Sequence, residues 1–287
     1  MQNRWIFGHS HPRTRVVRTS DADDRRLRAW RRMPKVAQFA ELSLSSTPHT
    51  PLSSHIAVQN TPTRILIVGG TFDPPHIAHT RLAQLAADRL GCERIVFVPA
   101  HVSPFKAGAP PTDAEHRLAM LALALADVPN AKISTIEIDR GRTHSEKPSY
   151  TIDTLRELRT QREFQDAELF LLMGCDQALE FHRWKDWQEI LKCARPVVLI
   201  RSPWDEAEFV RAVRERYGEE EGAEWIARAI LPSQGMPMID VCATEVRERI
   251  SQGLSCEGLV EEAVEKYIVE NGLYRRAQVE RGVRAEA

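Results

Sequence analysis

Ile65-Leu66-Ile67-Val68-Gly69-Gly70-Thr71-Phe72-Asp73-Pro74-Pro75-His76-Ile77-Ala78-His79 is the stretch whose reading decides the fold. Its first four residues are aliphatic, too few for a helix and stopped by two glycines, so they read as a strand buried on both faces of a parallel sheet. Beyond the turn, Ile77, Ala78, Leu82, Leu85, Ala86 and Leu90 recur at helical spacing, and the turn opens directly into an amphipathic helix. A helix start offers unpaired N–H groups and the positive end of its dipole, which together make a site for anions, most often phosphates. Gly69 and Gly70 let a ligand approach the backbone. His76 and His79 lie one helical turn apart on one face, where two imidazoles can point at a single phosphate. There is no lysine-bearing P-loop and no G-x-G-x-x-G run. In isolation H-x-x-H would be two solvated histidines; the strand before it and the helix after it supply the context of a nucleotide site. A two-histidine metal centre is another reading, but no third ligand stands nearby, and no metal site is expected.

The chain has 287 residues, enough for one α/β domain of about 200 residues with an extension. Its net charge of −1 is unevenly spread: residues 1–60 carry ten Lys or Arg against four Asp or Glu, and the remainder 29 against 36. The folded part is therefore mildly acidic, which argues against nucleic-acid binding. No apolar run reaches the roughly 20 residues that span a bilayer. Five cysteines without a C-x-x-C pair read as reduced thiols of a cytoplasmic protein.

Residues 1–60 are Arg-rich, then Ser- and Pro-rich, and are expected to be disordered. Such a start also resembles an organelle transit peptide, against which Asp21, Asp23 and Asp24 weigh; translation from Met33 is the other account. A domain over 61–275 and a frayed tail over 276–287 complete the expected organisation. Within the domain, Arg94–Pro99 reads as the second parallel strand, and the loop after it offers Lys106 as a candidate phosphate partner. A helix is expected over 116–127, then a strand of alternating pattern over Lys132–Ile138 and a polar loop over 140–148. Thr151 reads as the cap of a helix carrying Leu155 and Leu158. Glu168–Met173 is a buried strand ending at Gly174 and Asp176, a carboxylate placed to meet a ribose hydroxyl or a metal-bound water. Trp184 and Trp187 read as core anchors or as a stacking surface for an aromatic ring. A strand over 195–201, surface helices over 205–228, a last strand over 238–241, a helix capped by Thr244 and a final helix over 259–271 follow. Thr244 and Arg247 thus stand at a second helix start, suited to the far phosphates of a triphosphate. The expected architecture is α/β, a doubly wound, Rossmann-like parallel sheet with helices on both faces.

Gly70, Phe72, Pro74, His76 and His79 match the signature [GS]-x-F-x-P-x-H-x-G-H, so the stretch resembles the nucleotidyltransferase superfamily; Ala78 departs from its glycine. With P-S-Y-T-x-x-T-L at 148–155, M-G-x-D at 173–176, W-x-x-W at 184–187, T-E-V-R at 244–247 and G-L-Y at 272–274, residues 63–274 resemble bacterial nicotinate-nucleotide adenylyltransferases. Cys242 replaces the first serine of that family's I-S-[SA]-T-x-[IV]-R. The resemblance implies ATP, with Mg²⁺, against Gly69, Gly70, Thr71 and Phe72, His76 and His79 on its phosphates, and Thr244 and Arg247 near the β- and γ-phosphates. It also implies Asp176 placing the nucleotides, and nicotinate mononucleotide against Tyr150 and Thr151 with its ring near Trp184. The implied reaction is adenylyl transfer to that mononucleotide, giving deamido-NAD in NAD biosynthesis; a homo-oligomer is compatible with it. The rival readings are transfer to nicotinamide mononucleotide or to phosphopantetheine, and a nucleotide-binding regulator without turnover.

Overall fold

The computed structural model describes residues 62–102, 111–143 and 148–275; Lys106 and the segments 1–60 and 276–287 lie outside them. Six strands form one sheet: β1 (Arg64–Gly70), β2 (Arg94–Pro99), β3 (Ala131–Ile133), β4 (Glu168–Gly174), β5 (Arg195–Leu199) and β6 (Ala229–Ile230). The order is β3-β2-β1-β4-β5-β6 and every pairing is parallel. The helices are α1 (Ile77–Leu90), α2 (Ala114–Ala124), α3 (Ile136–Thr143), α4 (Thr151–Thr160), α5 (Cys175–Leu179), α6 (Trp187–Cys193), α7 (Glu206–Ala227), α8 (Ala243–Ser251) and α9 (Glu262–Glu270), with a single turn at Arg162–Gln165.

Side chains alternate across a strand, and both faces of this sheet are apolar, so both need cover. Ile65, Ile67, Leu169 and Leu171 face Ile152, Leu155 and Leu158 of α4. Leu66, Val68, Ile95 and Phe97 face Leu82, Ala83 and Ala86 of α1. This is the expected doubly wound sandwich. Strand order reverses between β1 and β4, and in open sheets of this kind ligands bind beyond the carboxyl ends of the strands at the reversal. A third cluster, with Ile77, Met120, Val246, Val264 and Ile268, folds the C-terminal helices back against α2 and the head of α1. There the Ile77 N–H donates to the Leu259 carbonyl over 2.9 Å.

Several local expectations are corrected. The strand expected over 132–138 ends at Ile133, and α3 begins at Ile136. The Ser134 N–H makes a last bond to the Phe97 carbonyl, and then Thr135 starts the helix, its carbonyl accepting from the Asp139 N–H (2.8 Å) and its hydroxyl bonding the Asp139 carboxylate (2.6 Å). Ile136 and Ile138 fit strand alternation by spacing, but both are buried from a helix. The loop expected from Arg140 is correspondingly helical as far as Thr143. Residues 238–241 form no strand; the sixth strand is Ala229–Ile230, directly after α7, while Met238, beside Pro237, is exposed. Proline supplies no N–H to a ladder, which suits a connection better than a strand. The caps differ too. Cys242, not Thr244, caps α8, its sulfur accepting from the Glu245 N–H at 3.5 Å, and Tyr150 precedes α4, leaving Thr151 as its first helical residue.

Candidate active site

A cavity of about 520 Å³ opens at the carboxyl ends of β1, β4 and β5, within the usual range for small-molecule sites. Gly69, Gly70, Thr71 and His79 form one wall, Tyr150, Thr151 and Trp184 another. Gly174, Asp176 and Arg201 close it where β4 and β5 end, and Glu137 lies on the α3 side. Eight residues expected from the sequence therefore meet in one place. Phe72, His76, Thr244 and Arg247 stand outside this lining: Phe72 and His76 belong to the turn after β1, Arg247 bonds that turn at Asp73, and Thr244 bonds Arg247.

The turn is built tightly. Phe72 is buried with φ of 51°, a left-handed conformation uncommon for a side-chain-bearing residue. Its ring lies under Gly70, where an added Cβ would approach it to 3.0 Å, and meets His79 edge-on at 5.0 Å. An added Cβ at Gly69 would meet no atom within 4 Å, so the backbone there faces open space. His76 and His79 stack at 3.6 Å rather than standing side by side. The His76 N–H donates to His79 Nδ1 (3.2 Å), which places the proton of a neutral His79 ring on Nε2. His76 itself is buried and its Nδ1 has no hydrogen-bond partner. Burial, and then the positive charge of Arg201, pull its pKa down to about 3, so this ring is neutral across the physiological range.

Three carbonyls behind the turn, those of Thr71, Ala100 and Thr112, converge on the guanidinium of Arg117, which is 1 % exposed. Asp73 is the other junction: its carboxylate accepts from the Tyr274 hydroxyl (2.6 Å) and the Thr112 N–H (3.1 Å), and its carbonyl accepts from Arg247 Nη1 (2.7 Å). Arg247 Nη2 also bonds the Thr244 hydroxyl. On the opposite wall, Lys185 sits 4.7 Å over the Tyr150 ring and pairs with Asp153. Trp184 packs against the buried Phe181 ring at 5.3 Å, so it serves the core on one side and the cavity on the other.

Sequence reasoning missed Arg201, Glu137, Arg117 and the role of Asp73. Arg201 carried a signal, a basic residue just beyond the end of a strand in an open α/β sheet. Glu137 carried none, because it was read inside a strand. The Thr154 hydroxyl donates to its Oε1 (2.7 Å), and Arg140 in turn donates to Thr154. Burial raises the Glu137 pKa, outweighing the bonds from Thr154 and Ser149 and the charge of Arg140. A carboxyl so raised adds stability below its unfolded pKa, about 4.3, and loses it as pH rises through the folded value. Glu137→Gln removes that loss, so its melting temperature should match wild type at pH 4 and exceed it by a few degrees at pH 8. Scanning calorimetry across that range checks this, and a gap independent of pH refutes it.

A doubly wound sheet whose first βα turn carries stacked histidines over a glycine pair, with no P-loop, is the construction of a nucleotidyltransferase. Residues 67–249 match the cytidylyltransferase-like family. A protein of Desulfatibacillum aliphaticivorans named a probable nicotinate-nucleotide adenylyltransferase is 34% identical over 226 residues, covering 74% of this chain and 99% of its own. One of the same name from Thermomicrobium roseum is 35% identical over 221 residues, covering 75% and 93%. The chain belongs to the nicotinate-nucleotide adenylyltransferase family. Its fold is also that of a Plasmodium falciparum nicotinic acid mononucleotide adenylyltransferase solved with NaAD, at a TM-score of 0.56 and 16% identity, over 74% of this chain and 97% of that one.

Proposed function

We propose that the protein transfers the adenylyl group of ATP to nicotinate mononucleotide, yielding deamido-NAD and pyrophosphate, through the domain spanning 61–275. The observation that carries this reading is the cavity at the β1–β4 reversal, which the glycine turn, His79, Arg201, Tyr150, Thr151 and Trp184 line together. ATP lies along Gly69–Phe72. His79 Nε2 and Arg201 meet its phosphates, Arg247 with Thr244 takes the far end, and Asp176 helps place the nucleotides. The mononucleotide lies on Tyr150 and Thr151, its ring against Trp184.

The nucleophile is the mononucleotide phosphate, largely a dianion at neutral pH because its second pKa is about 6. One of its oxygens attacks the α-phosphorus of ATP in line; the bond from that phosphorus to the bridging oxygen breaks, and the electron pair leaves with pyrophosphate. No general base and no covalent enzyme intermediate are required. The barrier is the approach of two anions, lowered by positioning and by fixed positive charge. His76, neutral, contributes shape and the N–H that orients His79. Mg²⁺ bound with ATP would supply charge neutralisation to the departing phosphates, and Asp176 is the cavity carboxylate at the end of β4 that would help hold it. Five unpaired cysteines support a reducing, cytoplasmic setting, and among the described residues no helix is long and apolar enough to cross a membrane.

Pyrophosphate release from ATP and Mg²⁺ tests the reading with nicotinate mononucleotide, nicotinamide mononucleotide and phosphopantetheine compared. A strong preference for the first is expected. Equal rates with the two pyridine nucleotides would overturn the preference for the acid, and ATP binding without release from any acceptor would favour a regulator.

A further inference from the structure

We propose that Tyr274 and Asp73 are positioning residues, through which the C-terminal Gly272-Leu273-Tyr274 segment holds the post-β1 turn and Arg247 in register with the triphosphate. The proposal rests on the adenylyl-transfer reading for the role of Arg247. Its geometry is independent of that reading.

Asp73 is the only residue of the turn through which three remote parts of the described chain meet. Its two carboxylate oxygens accept from Tyr274 at the C-terminal end and from the Thr112 N–H just ahead of α2, and its carbonyl accepts from Arg247 of α8. Thr112 is fixed in turn, because its carbonyl accepts from Arg117 Nε, whose Nη1 holds the carbonyls of Thr71 and Ala100. Thr71 lines the cavity. A displaced Asp73 therefore moves a wall of the ATP site and the anchor of a phosphate-binding arginine together. An arginine fork discriminates phosphate geometry only while its plane is held.

The tyrosine is placed for this bond at a conformational cost. Gly272 and Tyr274 both adopt left-handed backbone, with φ of 63° and 59°, which a glycine accepts readily and a tyrosine does not. Non-glycine residues in that region persist where their surroundings over-determine them, commonly at functional sites. Here the surroundings are the 2.6 Å bond to Asp73 and the third apolar cluster, against which Leu273 and Tyr274 pack. Burial, and then the Asp73 carboxylate, raise the hydroxyl's pKa, so it stays protonated and donates at every physiological pH.

The test uses Tyr274→Phe in the full-length protein, which deletes one hydroxyl and keeps the ring. ATP affinity by calorimetry is expected to weaken about tenfold, and kcat/KM for ATP to fall by the same order, while KM for nicotinate mononucleotide stays within twofold. A merely structural role would lower the melting temperature and shift both substrates together, and that pattern overturns the proposal. Tyr274→Phe combined with Arg247→Lys should cost less than the product of the single losses; strict multiplicativity overturns coupling through Asp73. If the protein binds ATP but transfers to no acceptor, the activity reading fails, and the calorimetric comparison alone decides the positioning role. Equal ATP affinity in wild type and Tyr274→Phe refutes it.

Discussion

Replacing His79 by alanine is expected to lower kcat by about 10²–10³-fold, roughly 2.7–4 kcal/mol, the loss seen when one preorganised donor is removed from a developing charge. The His76 N–H occupies Nδ1, so the neutral His79 ring has its single proton on Nε2, and the edge-on Phe72 ring at 5.0 Å fixes the plane. Such a donor is aligned before the reaction begins and needs no reorganisation as negative charge moves toward the departing phosphates. KM for nicotinate mononucleotide should change little, because that substrate sits on the Tyr150 wall. The pH profile provides a sharper control. Activity should fall below about pH 6 as the attacking phosphate dianion takes up a proton, and this limb belongs to the substrate. His79→Ala should therefore retain it at reduced height. A limb that disappears with His79 would show that the histidine titrates in the mechanism, and the neutral-donor role would be wrong.

Arg201→Ala should be nearly as damaging, with kcat/KM for ATP down by about 10²-fold. Arg201 is the arginine that the end of β5 brings to the cavity, where it stands with Gly174 and Asp176. A charge-assisted bond from a guanidinium to phosphate contributes about 1.5–3 kcal/mol, more where water is excluded. Arg201→Lys should recover part of the loss, since it restores charge without the planar fork. His76 supplies an independent readout by NMR titration. Removing the guanidinium lifts one of the two causes that depress its pKa, so the value should rise from about 3. Burial, the larger cause, remains, and the ring should still be neutral at pH 7. An unmoved His76 titration together with unchanged ATP kinetics would place Arg201 outside the phosphate site.

The elements that sequence reasoning placed well share a physical property: their identity is set by neighbours along the chain. Ile65–Val68 is a strand because four aliphatic residues end at a glycine pair, and α1 follows because its apolar residues repeat at helical spacing. The elements placed wrongly have patterns that two structures satisfy equally. Ile136 and Ile138, two apart, fit a strand, yet Thr135 and Asp139 bond locally and start a helix. Thr244 is a good cap by type, but the backbone enters α8 two residues earlier, and Cys242 accepts the bond with a weaker sulfur acceptor. The serine-to-cysteine departure thus keeps the capping position.

For the site, the sequence by itself determined the glycine turn, the histidine pair, the Tyr150–Thr151 helix head and Asp176, because each lies at a strand end or helix start recognisable from local pattern. Only the tertiary structure decided that His76 is buried and neutral while His79 faces the cavity. It likewise decided that Arg201 joins them, that Glu137 lines the far wall, and that Arg117, Asp73 and Tyr274 brace the turn from behind. Those facts depend on contacts between residues as many as 201 positions apart, set by which strands the sheet makes adjacent and by how the last helices return to the first. Burial and electrostatic shifts arise from that packing and have no counterpart in local spacing.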